Sequence, residues 1–154
     1  MNPFRIVDAE PTPYLFVERS AAPDEIGSVI GPAFGEVWAF MEHHGIAPAG
    51  GAIAVYTSYG PEKMDFRAGF VISREDMAAA QGAVKADVTP AGRAVHGLHR
   101  GSYGNIRETY GKMHAFVTAE GLEWIAPTWE IYLNSPDQVP EEQLLTELYQ
   151  AVRG

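Results

Sequence analysis

Two stretches of the chain carry apolar residues at the spacing of a helix. In the first stretch, steps of four, three and four place the apolar side chains on one helical face, at Ile30, Phe34, Val37 and Met41. His43 and His44 fall in its last turn, and Gly45 supplies a C-terminal stop. The second helix is predicted to start after Ser102, a suitable N-cap, and to end at Gly121. Its apolar stripe is formed by Tyr103, Ile106, Tyr110, Met113 and Val117.

Runs of aromatic and β-branched residues flank both helices and predict strands. In the first half these strands are residues 13–20, 51–57 and 66–72. In the second half they are residues 93–99, 127–133 and 144–152. The segment 73–87 between the halves is interpreted as either a short helix or a linker.

The two halves repeat each other at a spacing of 76 positions. Matching apolar, aromatic or glycine residues at this spacing are Ile30/Ile106, Phe34/Tyr110, Phe40/Phe116, Gly45/Gly121, Ile53/Trp129, Val55/Ile131 and Tyr56/Tyr132. A repeat this long is a half-domain rather than a solenoid unit. We therefore predict one α+β domain over residues 1–154, with half-repeats at about 12–72 and 90–152. Two β-α-β-β units related by a pseudo-two-fold axis would form an antiparallel sheet of about eight strands with two main helices.

One strand near the C-terminus carries an acid among aromatic residues. Because side chains alternate across a strand, Glu130 and Tyr132 share one face, opposite Trp129 and its neighbours. The matching face of the first half carries Ala52, Ala54 and Tyr56, so Glu130 replaces a small residue. An acid with aromatic walls between two related halves suits an aromatic cation. Each of these residues also has a purely structural alternative. Glu130 could face water on the open side of the sheet, and Tyr56 and Tyr132 could serve only in packing. Trp38 on the first helix could belong to the core instead of a ligand-binding wall.

Composition excludes several classes of function. The chain has 154 residues, 46% of them hydrophobic, and no cysteine, so thiolate catalysis and thiolate zinc sites are excluded. The formal net charge of −9 makes nucleic acid a poor partner. His96 and His99 point to opposite faces of one strand, and we predict no metal site and no cofactor. No signal peptide or membrane span is visible, so we expect a cytoplasmic protein without membrane contact.

Several short motifs resemble those of the GyrI-like small-molecule-binding family, over residues 12 to 152. The stretch 90–94 (PAGRA) resembles its entry to a central strand, and 99–103 (HRGSY) resembles its turn into the second helix. The stretch 129–132 (WEIY) resembles its W-E-x-Y strand, 146–148 (TEL) its closing strand, and 65–70 (DFRAGF) its first hairpin. Ser102 departs from the usual proline, and both residues suit a helix start.

This resemblance implies that Glu130 sits in a ligand pocket and meets hydrophobic, cationic compounds. It suggests His99, Tyr103 and Tyr132 as wall residues, with Ala94 leaving space. Phe70 in the first hairpin, Tyr56 and Trp38 complete the candidate ligand-binding set. Many relatives are effector-binding parts of MerR- or AraC-type regulators. Since residues before 12 leave no room for a helix-turn-helix, we expect a stand-alone member without direct control of transcription.

Three functions remain open from the sequence. The first is a small-molecule binder for sensing, sequestration or detoxification. The second, implied by the resemblance, is a hydrolase that opens the cyclopropane ring of toxic alkylating natural products. In that case Glu130 is the general base on water, and Tyr132 or His99 is the acid. The third, also implied by the resemblance, is a protein that binds a protein partner such as gyrase through an acidic surface, as the gyrase-inhibiting namesake of the family does.

Overall fold

The first half of the chain forms a β-α-β-β unit preceded by one extra strand. We describe residues 3–58 and 60–154 of a computed structural model. The elements of this half are β1 (Arg5–Ala9), β2 (Pro13–Ala21), α1 (Ile26–His44), β3 (Ala52–Ser58) and β4 (Met64–Val71). Gly45 ends α1 in the left-handed conformation, with φ of 67°, as the glycine stop predicted.

The second half repeats this order. Its elements are β5 (Lys85–Val88), β6 (Gly92–Arg100), α2 (Ile106–Ala119), β7 (Glu123–Tyr132) and β8 (Leu145–Arg153). Short 3-10 turns lie at Pro23–Glu25, Arg74–Ala79, Tyr103–Asn105 and Glu141–Gln143. The Ser102 side chain accepts a hydrogen bond from the Gly104 amide and so caps the turn that leads into α2.

All eight strands form one antiparallel sheet in the order β1-β6-β8-β7-β3-β4-β2-β5. The predicted α+β fold with a duplicated β-α-β-β unit and two main helices is confirmed. Six of the strands were located from the sequence, whereas β1 and β5 were not. The segment predicted as a short helix or a linker contains a 3-10 turn and the edge strand β5.

The two edge strands force the sheet to curve. Strands β1 and β2 are six strand spacings apart, which is about 29 Å in a flat sheet. Only residues 10–12 connect them, and four Cα–Cα steps span at most about 15 Å. Residues 89–91 make the same short connection from β5 to β6. The sheet therefore bends until its two ends meet, and we call its inner side the concave face.

The helices cover the other side, which we call the helical face. Helix α1 packs Ala33, Val37 and Met41 on β2 and β4, and α2 packs Met113 and Val117 on β6 and β8. The concave face has a core of its own, and this core buries Tyr14, Phe16, Ile53, Val55, Ala94, Trp129 and Ala151. In the described part of the chain, no helix is long and apolar enough to cross a membrane.

The pseudo-two-fold axis of the fold passes beside Glu130. Strands β3 and β7 meet at the centre of the sheet, where Ala54 lies directly opposite Glu130. These two residues are also 76 positions apart, so each half places the same strand position on the axis. Only one half places an acid there.

Candidate functional site

Glu130 is buried between the sheet and α2, on the helical face. Its side chain is only 5% exposed, which excludes the alternative of a solvated surface acid. The Tyr110 hydroxyl of α2 donates to its Oε2 at 2.5 Å, and the Tyr132 hydroxyl donates to its Oε1 at 2.6 Å. Both carboxylate oxygens thus have a phenolic donor, which is what an acid removed from water requires.

Burial changes the proton affinity of this group. Loss of water raises the pKa of Glu130 above its ordinary value, although the Tyr110 and Tyr132 hydroxyls and the charge of His99 act in the opposite direction. Burial, followed by the charge of Glu130, raises the pKa of Tyr132 well above its ordinary range. Tyr132 therefore keeps its proton and acts as a donor. The carboxylate is costly to ionise, so a nearby cation would be favourable.

A chain of aromatic rings runs from the carboxylate toward the surface. Phe34 and Tyr103 each meet the Tyr132 ring edge-on, at centroid distances of 6.0 and 5.7 Å. Phe70 continues the chain from Phe34 at 6.0 Å, and Trp38 packs on Phe70 at 5.3 Å. This arrangement gives an acid at the bottom and five rings above it.

The outer end of this chain is open to solvent. Trp38 is 41% exposed and Tyr103 is 39% exposed. The interpretation of Trp38 as a core residue is therefore wrong, because α1 turns it outward beside Phe70. Tyr103 lies in the turn before α2, so the two exposed rings are carried by different halves of the fold.

His99 is buried near Glu130, but hydrogen bonds hold its ring in the turn before α2. Its Nε2 lies 2.8 Å from the Ser102 carbonyl, which can only accept, so Nε2 carries a proton. Its Nδ1 lies 2.6 Å from the Thr109 hydroxyl. Both ring nitrogens thus have hydrogen-bond partners in this turn and at the start of α2, so His99 holds the turn beside Glu130.

The other two candidates, Tyr56 and Ala94, lie on opposite faces of the sheet. Tyr56 is on the helical face, packed at 6.0 Å on Phe66, and its charge contributes to the raised pKa of Tyr132. Ala94 belongs to the core of the concave face with Trp129, so the structure does not bring it together with Glu130.

The structure adds Phe34 and Tyr110, which had been assigned only to helix stripes. They occupy equivalent positions of the repeat, one on each helix, and both reach the central residues of β7. The repeat itself contains the signal, because a Phe/Tyr pair on the two helices accompanies an Ala/Glu pair on the axis. Among the described residues, no group of three or more His, Asp or Glu side chains is arranged to hold a metal ion.

Comparisons with known proteins identify one family and many solved structures with a similar fold. A family model for the GyrI-like small molecule binding domain matches residues 2–153. A search of curated proteins gave no significant match. The solved structures that match share at most 17% identity in the examples below, so they show the fold alone.

Three solved structures illustrate this likeness. A complex of EcmrR with DNA has a TM-score of 0.79 at 17% identity, covering 97% of this chain and 57% of that one. SAV2435 bound to tetraphenylphosphonium has a TM-score of 0.67 at 11% identity, covering 98% and 94%. A hydrolase from Listeria innocua has a TM-score of 0.64 at 15% identity, covering 97% and 91%. Nucleic acid was not an expected partner of this chain, and the EcmrR complex contains it.

Proposed function

Since this chain belongs to the GyrI-like small molecule binding domain family, we propose that it binds a hydrophobic, cationic, aromatic molecule beside Glu130. The observation that carries the proposal is the buried carboxylate itself, held by Tyr110 and Tyr132 at the centre of the sheet. A buried acid needs a partner for its negative charge, and a cation supplies one.

The surrounding rings favour an aromatic or lipophilic cation over a hydrated one. Phe34, Tyr132 and Tyr103 offer faces and edges close to the carboxylate. A cation over an aromatic face gains about 0.5–2 kcal/mol, with the larger values at desolvated sites. A strongly hydrated ammonium would lose its water here for few donors and acceptors in return.

Ligand entry requires the exposed rings to move. Trp38 and Tyr103 stand at the outer end of the aromatic chain and are partly free to change rotamer, because each is well over a third exposed. A planar or propeller-shaped cation would replace the present ring contacts with its own. The protein would then act in sensing, sequestration or detoxification of such compounds.

A dye titration tests this proposal. Tetraphenylphosphonium is a hydrophobic cation, and its presence in a structure of similar fold makes it a suitable probe. We expect saturable binding, followed by tryptophan fluorescence, and a loss of at least about tenfold in affinity for Glu130→Gln. The matched control is Glu147→Gln, which removes a tyrosine-bonded carboxylate on the opposite face and should leave this affinity unchanged. Equal affinities for wild type and Glu130→Gln would refute the proposal.

A hydrolase is the second candidate, favoured by one specific observation. The pKa of Glu130 is raised, which suits a general base near neutral pH. The Tyr110 and Tyr132 hydroxyls lie within hydrogen-bond distance of its carboxylate and could serve as acids. The binder ranks first because each carboxylate oxygen already accepts a tyrosine hydroxyl, so a reacting water would compete with these donors for the negative charge of the base.

The binder and the hydrolase are distinguished by whether the protein converts a cyclopropane-containing compound to product. We would follow the ultraviolet spectrum of a cyclopropane-containing alkylator with wild type and Glu130→Gln. Loss of the ring chromophore with wild type alone would establish the hydrolase and make Glu130 its base. An unchanged spectrum in both cases, with tetraphenylphosphonium still bound by wild type, would leave the binder.

A further inference from the structure

A buried hydroxyl without a hydrogen-bond partner lies on the helical face, close to Glu130. Thr146 of β8 is 0% exposed, and its Oγ1 has no hydrogen-bond partner among the described residues. A hydroxyl that leaves water without gaining a hydrogen bond destabilises the folded protein, and such groups are rare in native structures. Valine would fill the same space with a methyl group and avoid this penalty. The hydroxyl of Thr146 is therefore better explained by a contact to a bound molecule than by packing.

Strand pairing places Thr146 in the proposed ligand site. Its direct cross-strand partners are Tyr132 of β7 and His99 of β6, so the three side chains form one row on the helical face. Glu130 is paired with Leu148, two residues further along β8 than Thr146. Thr146 is thus a diagonal neighbour of Glu130, at roughly 7–8 Å between Cα atoms. The unpartnered hydroxyl and the buried carboxylate therefore belong to the same site.

The polar atoms of both row neighbours are engaged elsewhere. The Tyr132 hydroxyl donates to Glu130, and both ring nitrogens of His99 bond to the turn before α2 and to the start of that helix. Neither neighbour forms a hydrogen bond with Thr146. Tyr103, whose ring meets Tyr132 at 5.7 Å and is 39% exposed, stands on the solvent side of the site. Its movement during ligand entry would give a ligand access to the row.

We propose that Thr146 is a specificity-determining residue of the Glu130 site and donates its hydroxyl proton to a neutral oxygen of the ligand. This inference rests on the proposed function and adds a second polar group to the ligand. The charge of Glu130 disfavours an anionic group at this distance, and donor groups of a ligand already find an acceptor in Glu130. Thr146 supplies a donor that no protein group uses.

The distance between the two residues limits where this oxygen lies in the ligand. The diagonal separation of Thr146 and Glu130 is comparable to the span of a benzene ring together with its two para substituents. A ring with the positive centre at one end and an oxygen at the other would reach both groups at once. The ligand class is thus an aromatic cation with a neutral oxygen acceptor para to its charge.

Affinities for two phosphonium cations of similar shape test the inference. The probes are (4-methoxyphenyl)triphenylphosphonium and (4-ethylphenyl)triphenylphosphonium, which differ by an ether oxygen in place of a methylene group. We expect wild type to prefer the methoxy probe by at least about threefold, which corresponds to one net hydrogen bond. Thr146→Val fills the same space without the donor and should bind both probes with equal affinity. Glu130→Gln should weaken both probes and keep the preference.

Thermal unfolding gives an independent readout of the same hydroxyl. Removal of an unsatisfied buried hydroxyl should raise the melting temperature of Thr146→Val by a few degrees. Thr128→Val is the matched control, because Thr128 is also buried on the helical face but donates to the Gln150 side chain. This control should melt below wild type and retain the preference for the methoxy probe.

The possible failures are distinguishable. Equal binding of the two probes by wild type would overturn this inference and leave the cation site in place, since tetraphenylphosphonium would still bind. A preference that persists in Thr146→Val would assign the oxygen to another group and overturn it too. A lower melting temperature of Thr146→Val would overturn it because a partner such as a bound water would already use the donor. Absence of binding by every phosphonium would refute the proposed function as well.

Discussion

At the scale of single residues, the buried carboxyl of Glu130 is the centre of the proposed site. Its protonation can be followed directly through the pH dependence of stability. The folded protein raises the pKa of Glu130 above the ordinary value of 4.5. The folded state therefore holds this proton to higher pH than the unfolded state does. Its contribution to stability is complete below pH 4.5 and is lost as pH rises through the raised pKa.

We predict that the free energy of unfolding of wild type decreases as pH rises from 4.5 through the raised pKa of Glu130. Glu130→Gln should lack the part of this decrease that comes from the Glu130 proton. Urea unfolding at a series of pH values from 4 to 9 measures it. Glu36→Gln, an exposed acid of α1 paired with Arg19, is the control and should follow wild type. A Glu130→Gln curve parallel to that of wild type would contradict the raised pKa.

A second residue prediction concerns the donor on α2. Tyr110→Phe removes the hydrogen bond to Glu130 Oε2 and leaves the ring in place. Because this bond favours the ionised carboxylate, its loss should raise the pKa of Glu130 further. Carbon-13 NMR titration of the side-chain carboxyl would show the midpoint moving upward. In Tyr149→Phe, whose hydroxyl bonds Glu147 on the concave face, the midpoint of Glu130 should stay in place.

The sequence predicted the position of Glu130 because alternation along a strand and the internal repeat are local properties. It did not predict the partners. Tyr110 reaches Glu130 only because α2 crosses β7 at that level. His99 was assigned to the wall, while its ring is held by Thr109 and Ser102, contacts set by the shape of a turn.

At the scale of elements, the glycine at the end of α1 offers a clear prediction. Gly45 has φ of 67°, and a Cβ there would meet nothing within 4 Å, so the backbone conformation alone opposes other residues. Gly45→Ala should destabilise the protein by about 1 kcal/mol. Gly35→Ala, in open space inside the same helix, should instead stabilise it by about 0.5–1 kcal/mol. Thermal unfolding of both variants tests the pair, and equal signs would contradict it.

Both helices and six strands followed from periodicity and glycine stops, whereas β1 and β5 did not. These strands have five and four residues, and each mixes charged with apolar side chains. Each pairs with the strand that begins the β-α-β-β unit of the other half, with β1 on β6 and β5 on β2. Such pairing depends on the assembled fold and leaves little trace in a window of sequence.

At the scale of the whole molecule, curvature separates two environments on one sheet. The short connectors bring the sheet ends together, and the Thr12–Thr89 hydrogen bonds close the gap. The sequence predicts neither the curvature nor the concave core, because both depend on which strands lie at the edges of the sheet. The repeat predicted two halves, but it did not predict that an edge strand of each half pairs with a strand of the other half.

The closure itself is testable. Thr89→Val keeps the shape of a buried side chain but leaves the Thr12 amide without its acceptor. We predict a loss of about 1–3 kcal/mol in stability and faster amide hydrogen exchange at residues 10–12. Thr57→Val, at an exposed position of β3, serves as the control. Wild-type stability and exchange in Thr89→Val would show that this bond does not hold the sheet ends together.

The central claim is that a cation binds against the ionised carboxylate of Glu130. The most direct measurement is the affinity for tetraphenylphosphonium as a function of pH, in wild type and Glu130→Gln. Because the cation requires the ionised form, wild-type affinity should rise with pH, by up to about tenfold per unit below the raised pKa, and then level off. Glu130→Gln should bind more weakly with no such rise. A pH-independent wild-type affinity, or the same pH profile in both proteins, would contradict the account.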